Sequence, residues 1–449
     1  MTMKTLILPA EIKSRELDAR LLHAALALGA GWRVITGSKA LINRNIWRIP
    51  RGVYLMQTMT HKRLYMARLL KALNFKIIGW DEEGLVYLDK GLYLSRRISS
   101  ETSLYIDQVF TWGRQGREDI AERCSSPVTP IGNPRFDMLR PEVRGVYGAQ
   151  VDKIRINHGD FILVNTNFSS INPIISLHDA PERAISERDK GDGEKISQQY
   201  TGFLQHRQQM FDAFCEVMPK LAAAFPDRTI VIRPHPAEDL NTWQQKFKAI
   251  DNIKIIREGA SIPWLLASKV LIHNGCTTAI ESRLLGNHPL AFAPVSSSDH
   301  ESPLPNGVSH MATGSGDLIA LVEKGLAGSL AMTREQEEFL NQYVSGRTGP
   351  FAAQIALEQG GTLLASQRSS LLTTLNEIRL RALALGRYVY KAMRSNHRTD
   401  RYLKKVYPKT TAVEIEDRVN QLASELNLDI AGKIRARAIA TNIFDLRVK

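Results

Sequence analysis

Cysteine is scarce in this chain of 449 residues: Cys124, Cys215 and Cys276 lie far apart and are odd in number. That excludes a disulfide framework and gives no thiolate metal site, so ordinary packing is the default reading even for Cys276 beside Gly275. Long apolar runs are lacking as well. No stretch reaches the roughly 18 apolar residues of a membrane-spanning helix, and in the opening MTMKTLILPAEIKSRE the charge of Glu11 arrives too soon for the core of a secretory leader. A cytoplasmic protein is the expectation. Internal repeats and low-complexity tracts are also missing, which excludes solenoid and fibrous architectures.

Acid is missing from one region. Ala19 to Trp80 holds no Asp or Glu, whereas Lys39, Arg44, Arg48, Arg51, Lys62, Arg63, Arg68, Lys71 and Lys76 all lie within it. A second basic stretch carries Arg379, Arg381, Arg387, Lys391, Arg394, Arg398, Arg401, Lys404 and Lys405, and the whole chain has a net charge of +13. Basic patches meet anions: nucleic acid, the surface of an anionic membrane, or a diphosphate-linked acceptor. A solvated basic face is the plain alternative. Nucleic acid ranks last, because no nucleic-acid fold signature or stacking motif accompanies the charge.

What is present is an alternation of β-branched runs and amphipathic segments. Thr5 to Pro9, Arg33 to Thr36, Val53 to Met56, Lys76 to Gly79 and Asp107 to Thr111 read as strands, with helices over Arg15 to Leu28 and His61 to Leu73 between them. Asn133 to Gly159 has prolines and weak periodicity, so a boundary is expected there, with Asn133, Pro134 and Arg135 fixing a hinge. The pattern then restarts: strands at Phe161 to Asn165, Thr229 to Ile232, Ile253 to Ile256, Val270 to Ile272 and the PLAFAP run, and helices from Gln198 to Phe225 and Pro263 to Ala267. SERDKGDGEK, Ser186 to Lys195, is too polar to pack and reads as a mobile loop. After Thr362 the pattern is helical, with Ile415, Val419, Leu422 and Leu426 on one face. The expected class is α/β with two Rossmann-like domains, residues 1–140 and 155–345, and a helical basic extension over 346–449 that packs back on them.

Two turns concentrate the chemistry. Thr229 to Ile232 ends abruptly in Arg233-Pro234-His235-Pro236, which delivers an always-charged guanidinium and an imidazole to the carboxyl edge of a parallel sheet, where such sheets bind ligands. The prolines stiffen the turn, and Glu238 or Asp239 starts the next helix. Later, Val270-Leu271-Ile272 ends in His273-Asn274-Gly275, where Thr277 or Thr278 is placed to cap a following helix and Gly275 admits close approach of a ligand. His273 suits a structural role as well as a ligand-binding one. In the first half, Asp81-Glu82-Glu83-Gly84 follows a strand directly, and Glu11, Arg15, Glu16 and Asp18 follow the first strand. Carboxylates at one edge suit glycosyl chemistry, which needs a nucleophile or base and an acid. Asn165, Thr166, Asn167 and Ser169 are expected to line the same cleft from the other side. A paired-carboxylate motif for Mg²⁺ is lacking.

The pairing of RPHP with HNGxxTAxEx₃LG resembles the C-terminal half of GT-B glycosyltransferases, including CDP-glycerol polymerase-like and capsule-polysaccharide enzymes. LPAEIKSRELDARLLHAAL, GWDEEG, FTWGRQG and IGNPRFD, through YPKTTAVEIEDRV, resemble a bacterial surface carbohydrate biosynthesis family, distantly similar to retaining β-Kdo transferases. The resemblance implies two domains facing a cleft, whose closure aligns a nucleotide-sugar, preferably CMP-linked, with a glycan or lipid-linked acceptor, without a metal. It places the nucleotide on Arg233, His235, Pro236, Asn274, Gly275, Thr277, Thr278 and Glu281, with Glu281 on the ribose. Catalytic candidates are Glu83, Glu82, Asp81, Glu16, Glu11 and His235. Glu83 stands where the Kdo enzymes carry the nucleophile of an EDG-like turn, though this chain reads EEG. The alternatives are a CDP-glycerol-type polyol-phosphate transferase, a nucleotide-sugar epimerase, and a non-catalytic assembly protein that kept the fold.

Overall fold

A computed structural model describes residues 3–174, 193–366, 371–393 and 405–449. The chain divides into two compact units, Met1–Val146 with Asn341–Lys449, and Tyr147–Leu340. In the first, β1 (Thr5–Ala10), β2 (Arg33–Ser38), β3 (Val53–Met56), β4 (Lys76–Trp80), β5 (Gln108–Thr111) and β6 (Val128–Pro130) form a parallel sheet in the order β2-β1-β3-β4-β5-β6. All six residues of β1 are buried, which is why the run is continuously apolar rather than alternating: a parallel sheet is covered on both faces. The helix Lys13–Gly29 buries Leu17, Leu21, Leu22 and Ala25 as expected, and also Glu16, Arg20 and His23.

The second unit is a parallel sheet of β7 (Phe161–Asn165), β8 (Thr229–Arg233), β9 (Ile253–Ile255), β10 (Val270–His273), β11 (Leu290–Phe292) and β12 (His310–Ala312), ordered β12-β11-β10-β7-β8-β9. Its core gathers Phe168, Phe211, Phe214 and Trp243 against the sheet, with edge-on ring pairs such as Phe168–Phe214 at 5.3 Å. The long helix begins at Gly193 and runs to Ala224. Gly193 to Lys195, read from sequence as loop, are therefore helical, and the rest of that predicted loop lies outside the described residues.

The region after residue 346 is helical over Ala352–Ala365, Leu371–Met393 and Ala412–Glu425. The last of these buries Ile415, Val419 and Leu422, is opened by a Thr411/Glu414 capping box, and is tied to the first helix by a bidentate Arg418–Asp18 pair. The extension then ends in strands where a helical pattern was expected. β13 (Ile434–Ala440) and β14 (Ile443–Val448) form a hairpin, and β14 pairs antiparallel with β2, so the first sheet has eight strands. Two features lock it there. Arg33 forks onto Asp445 with both bonds at 2.8 Å, and Gly37, at φ 138°, lies so close to Asn442 that a Cβ would sit 2.0 Å from its carbonyl oxygen. Among the described residues no helix is long and apolar enough to cross a membrane.

Candidate functional site

In the first unit the chain leaves β1 toward β2 on one side and returns to β3 on the other, so the carboxyl ends of β1 and β3 mark the topological switch point. Glu16 sits there. Its carboxylate accepts from the Glu11 backbone at 2.7 Å, beyond β1, from Gln57 Nε2 at 2.5 Å, beyond β3, and from Arg15 at 2.9 Å. Burial pushes this carboxyl up, but Arg20 and Arg15 outweigh it and hold it below the usual range.

The neighbouring acids are also mostly committed. Glu82 is 5% exposed and paired to Arg20, itself 1% exposed. Asp81 takes a forked bond from Arg97 and one from Tyr93 Oη at 3.0 Å, and its carboxyl is raised because burial exceeds the pull of Arg97. Glu11 is bridged to Lys39. Glu83 differs: its side chain is 54% exposed and held by Arg97 NH1 at 3.0 Å and Arg15 NH1 at 3.8 Å. Arg97 comes from the helix Lys90–Arg97, capped by Asp89, which the sequence pattern did not separate. Of the predicted acids, Glu16, Asp81 and Glu82 are thus buried members of an ion-pair cluster, Glu11 is part-exposed and bridged to Lys39, and Glu83 is the most exposed, set between two guanidinium groups.

In the second unit, β7, β8 and β9 run outward on one side and β10 lies on the other side of β7, so the switch point falls between β7 and β10. Arg233, at the end of β8, does not present an open fork. Its NH1 and NH2 donate to the carbonyls of Glu258 and Gly259 at 2.7 and 3.2 Å, its guanidinium lies 4.6 Å from the Trp264 ring centre, and burial lowers it to about 10. His235 is exposed. Its Nδ1 accepts from the Ala237 N–H at 3.2 Å, which leaves the proton of the neutral ring on Nε2. Pro236 is exposed, and its carbonyl accepts from Arg257 at 3.3 Å.

The turn is organised by Glu238, fully buried, which accepts from Thr166 Oγ1, Phe168 N, His235 N and Trp243 Nε1, each at 2.9 to 3.0 Å. Asp239 caps the helix Leu240–Phe247 that follows. Burial raises the Glu238 carboxyl although all four donors lower it.

After β10, His273 is a structural histidine. The Ser309 hydroxyl donates to Pro305 O at 2.6 Å, so it accepts from His273 Nε2 at 2.8 Å, and Nδ1 takes the Gly275 N–H at 3.0 Å. Burial holds this imidazole neutral, at about 3. Gly275 is needed for its φ of 84° rather than for space.

Neither threonine hydroxyl caps the helix Thr278–Leu284. Thr277 occupies the capping position with helical backbone angles and no side-chain cap, whereas a capping side chain needs extended ones. The Thr278 hydroxyl bonds Cys276 Sγ instead. Glu281, 7% exposed, accepts from Ser261 Oγ at 3.2 Å. Asn274 is 4% exposed, with Oδ1 accepting from Asn167 N at 2.9 Å.

Arg207, not singled out from sequence, reaches this edge from the long helix. A signal existed: it lies four residues before Phe211 and seven before Phe214, on that helix's buried apolar stripe.

No protein-family model matches the chain, and no curated protein matches it. Solved structures do. UDP-GlcNAc 2-epimerase from Methanocaldococcus jannaschii, in complex with UDP-GlcNAc and UDP, matches with a TM-score of 0.50 at 13% identity, over 80% of this chain and 100% of that one. A Listeria monocytogenes structure named for UDP-N-acetylglucosamine 2-epimerase gives 0.51 at 14%, over 82% and 98%. The wall teichoic acid polymerase TagF gives 0.50 at 12%, over 82% and 90%. At such identities the likeness is one of fold, and the fold is GT-B: two Rossmann-like units in one chain.

Proposed function

We propose that the chain is a nucleotide-dependent glycosyltransferase of surface polysaccharide assembly, with the nucleotide on the second unit and Glu83 as the reacting carboxylate of the first. The observation that carries the reading is Glu83 itself, set between two guanidinium groups and the most exposed of the acids at this carboxyl edge, while Glu16, Asp81 and Glu82 are buried in ion pairs and Glu11 is bridged to Lys39. Glu83 lies beside the Arg15 and Arg97 guanidinium groups; its carboxylate attacks the sugar's anomeric carbon as the bond to the nucleotide phosphate breaks, and in a second step the acceptor hydroxyl, its proton passing to water, displaces the carboxylate. His235 Nε2–H is a donor for the leaving phosphate. The preferred donor is a CMP-activated ulosonic acid, and no metal is needed where cationic and N–H groups meet the phosphate charge.

The test is a thermal-shift panel of CMP, CDP, UDP and GDP and their sugars on the wild type and His235→Ala, with and without EDTA. CMP at a hundredfold excess over its Kd is expected to raise the melting temperature by roughly 5–10 °C, less so in the variant, and EDTA is expected to change nothing. Glu83→Gln is then expected to keep that shift and lose transfer by about 10²–10⁴-fold. A response to CDP alone would replace this reading with the polyol-phosphate transferase, a response to UDP alone would point to the epimerase, and no response to any nucleotide would leave the non-catalytic assembly protein.

The acceptor is proposed to be lipid-linked and met at an anionic membrane surface. On the helix Leu371–Met393, Leu375, Ile378 and Val389 are 65%, 61% and 47% exposed along one stripe, with exposed Arg379 and Arg387 beside it. That combination suits an interfacial helix. Sedimentation with phosphatidylglycerol vesicles should capture the wild type, and Leu375→Glu/Ile378→Glu should reduce capture about tenfold or more; equal capture of the two would remove this helix from the membrane contact.

A further inference from the structure

The two switch points carry charges of opposite sign in equivalent places, Glu16 buried and Arg207 partly buried. Each unit's first strand is followed by a helix, and each helix sends a charged side chain back to the point where the chain reverses direction: Glu16 in the first unit, Arg207 in the second. Glu16 is matched by Arg15 and has its oxygens filled. Arg207 is not matched. Its NH2 donates to the Asn167 carbonyl beyond β7 and its NH1 to the Asn274 carbonyl beyond β10, at 3.4 Å for the latter. Those carbonyls are neutral, and among the described residues no carboxylate lies within ion-pairing distance of the guanidinium. The Phe168 and Phe203 rings lie 5.6 and 5.7 Å away.

Two donors there are unused among the described residues: Arg207 Nε and, on the residue it touches, Asn274 Nδ2, both buried. Asn274 cannot turn its amide to cure this, because Oδ1 is already committed to the Asn167 N–H. A cation taken out of water without a counter-charge is costly, and so is a buried N–H without an acceptor. An anion with several acceptor oxygens removes both costs at once. Burial correspondingly lowers the Arg207 guanidinium below its ordinary value, against the weak pull of Glu238, Cys276 and Glu301.

We infer that Arg207 and Asn274 form a phosphoryl seat at the switch point of the second unit, with Arg207 Nε–H and Asn274 Nδ2–H donating to oxygens of a phosphate group. The inference rests on the proposed placement of the nucleotide on this unit, and it assigns the phosphate to Arg207 where the sequence pattern pointed to Arg233, whose fork is spent on Glu258 and Gly259. A simple staple between two loops would use NH1 and NH2 only. The seat adds a dependence on the ligand's phosphate that a staple does not have.

The experiment is calorimetric titration of the full chain with CMP, CDP, UDP and GDP, with the matching nucleosides, and with inorganic phosphate, for the wild type, Arg207→Gln and Asn274→Asp. Asn274→Asp keeps the acceptor for Asn167 N–H and replaces the donor with a negative charge, so it tests the seat even where Arg207→Gln fails to fold. Whichever nucleotide binds, each variant is expected to weaken it roughly ten- to a hundredfold, with nucleoside binding unchanged. Wild-type affinity in a folded variant, or equal losses for nucleoside and nucleotide, would overturn the seat while leaving the nucleotide reading intact. Wild-type binding of inorganic phosphate, lost in the variants, without any nucleotide binding would keep the seat and sink the nucleotide reading. Binding of neither would overturn both.

Discussion

Glu238→Ala is expected to destabilise the second unit by about 4 kcal/mol or more, the full penalty of leaving a set of buried donors without their acceptor. The carboxylate is fully buried and holds together three separate pieces of chain: Thr166 and Phe168 after β7, the His235 N–H of the RPHP turn, and Trp243 of the following helix. Each abandoned donor costs about 1–3 kcal/mol, and partial collapse of the site recovers some of it. Urea denaturation followed by far-ultraviolet circular dichroism measures the loss, and a change under about 1 kcal/mol would show that the turn stands without its hub. Glu238→Gln should fall between. Its amide keeps one oxygen for Phe168 and His235 but turns an NH₂ against the Trp243 Nε1–H, so adding Trp243→Phe should cost less in the Gln background than in the wild type.

That hub shows why the RPHP motif was legible and its inner workings were not. Apolar runs such as Phe161 to Asn165 and Val270 to Ile272 announce parallel strands by themselves, and the residues that stop them mark the carboxyl edge. Which way a side chain turns at that edge is decided by partners distant in sequence. Arg233 is held by the carbonyls of Glu258 and Gly259, and Glu281 meets Ser261. No local pattern carries such contacts.

The C-terminal hairpin was missed for the same reason. Ile434, Ala436 and Ala438 alternate with Arg435 and Arg437, but the strand β14 is stabilised by pairing with β2 some four hundred residues earlier, where Ile443 meets Gly37. Arg207 and Arg20 could have been found, as Glu16 was. Each is a charge on the buried stripe of a helix, and a charge there needs a partner or a purpose.

Arg20→Leu tests the first unit's version of that rule and carries the second large effect. Arg20 and Glu82 are 1% and 5% exposed, and their ion pair is supplemented only by Arg20 Nε on the Pro9 carbonyl at 3.1 Å, with Arg20 NH1 and Glu82 Oε2 unpartnered among the described residues. Removing the cation leaves the Glu82 charge buried and takes from Glu16 its largest electrostatic support. A loss of about 3–5 kcal/mol is expected, and Glu82→Leu alone should cost a similar amount by stranding Arg20. The double variant Arg20→Leu/Glu82→Leu should recover most of it, because a buried pair with unfilled bonds contributes little beyond what packed aliphatic side chains supply. Denaturant midpoints for the four proteins close the cycle. A coupling below about 1 kcal/mol would mean that water reaches the pair and screens it. Large coupling with a stable double variant would mean that the pair is kept for what it positions: the 81–84 turn, and with it the Glu83 carboxylate between Arg15 and Arg97.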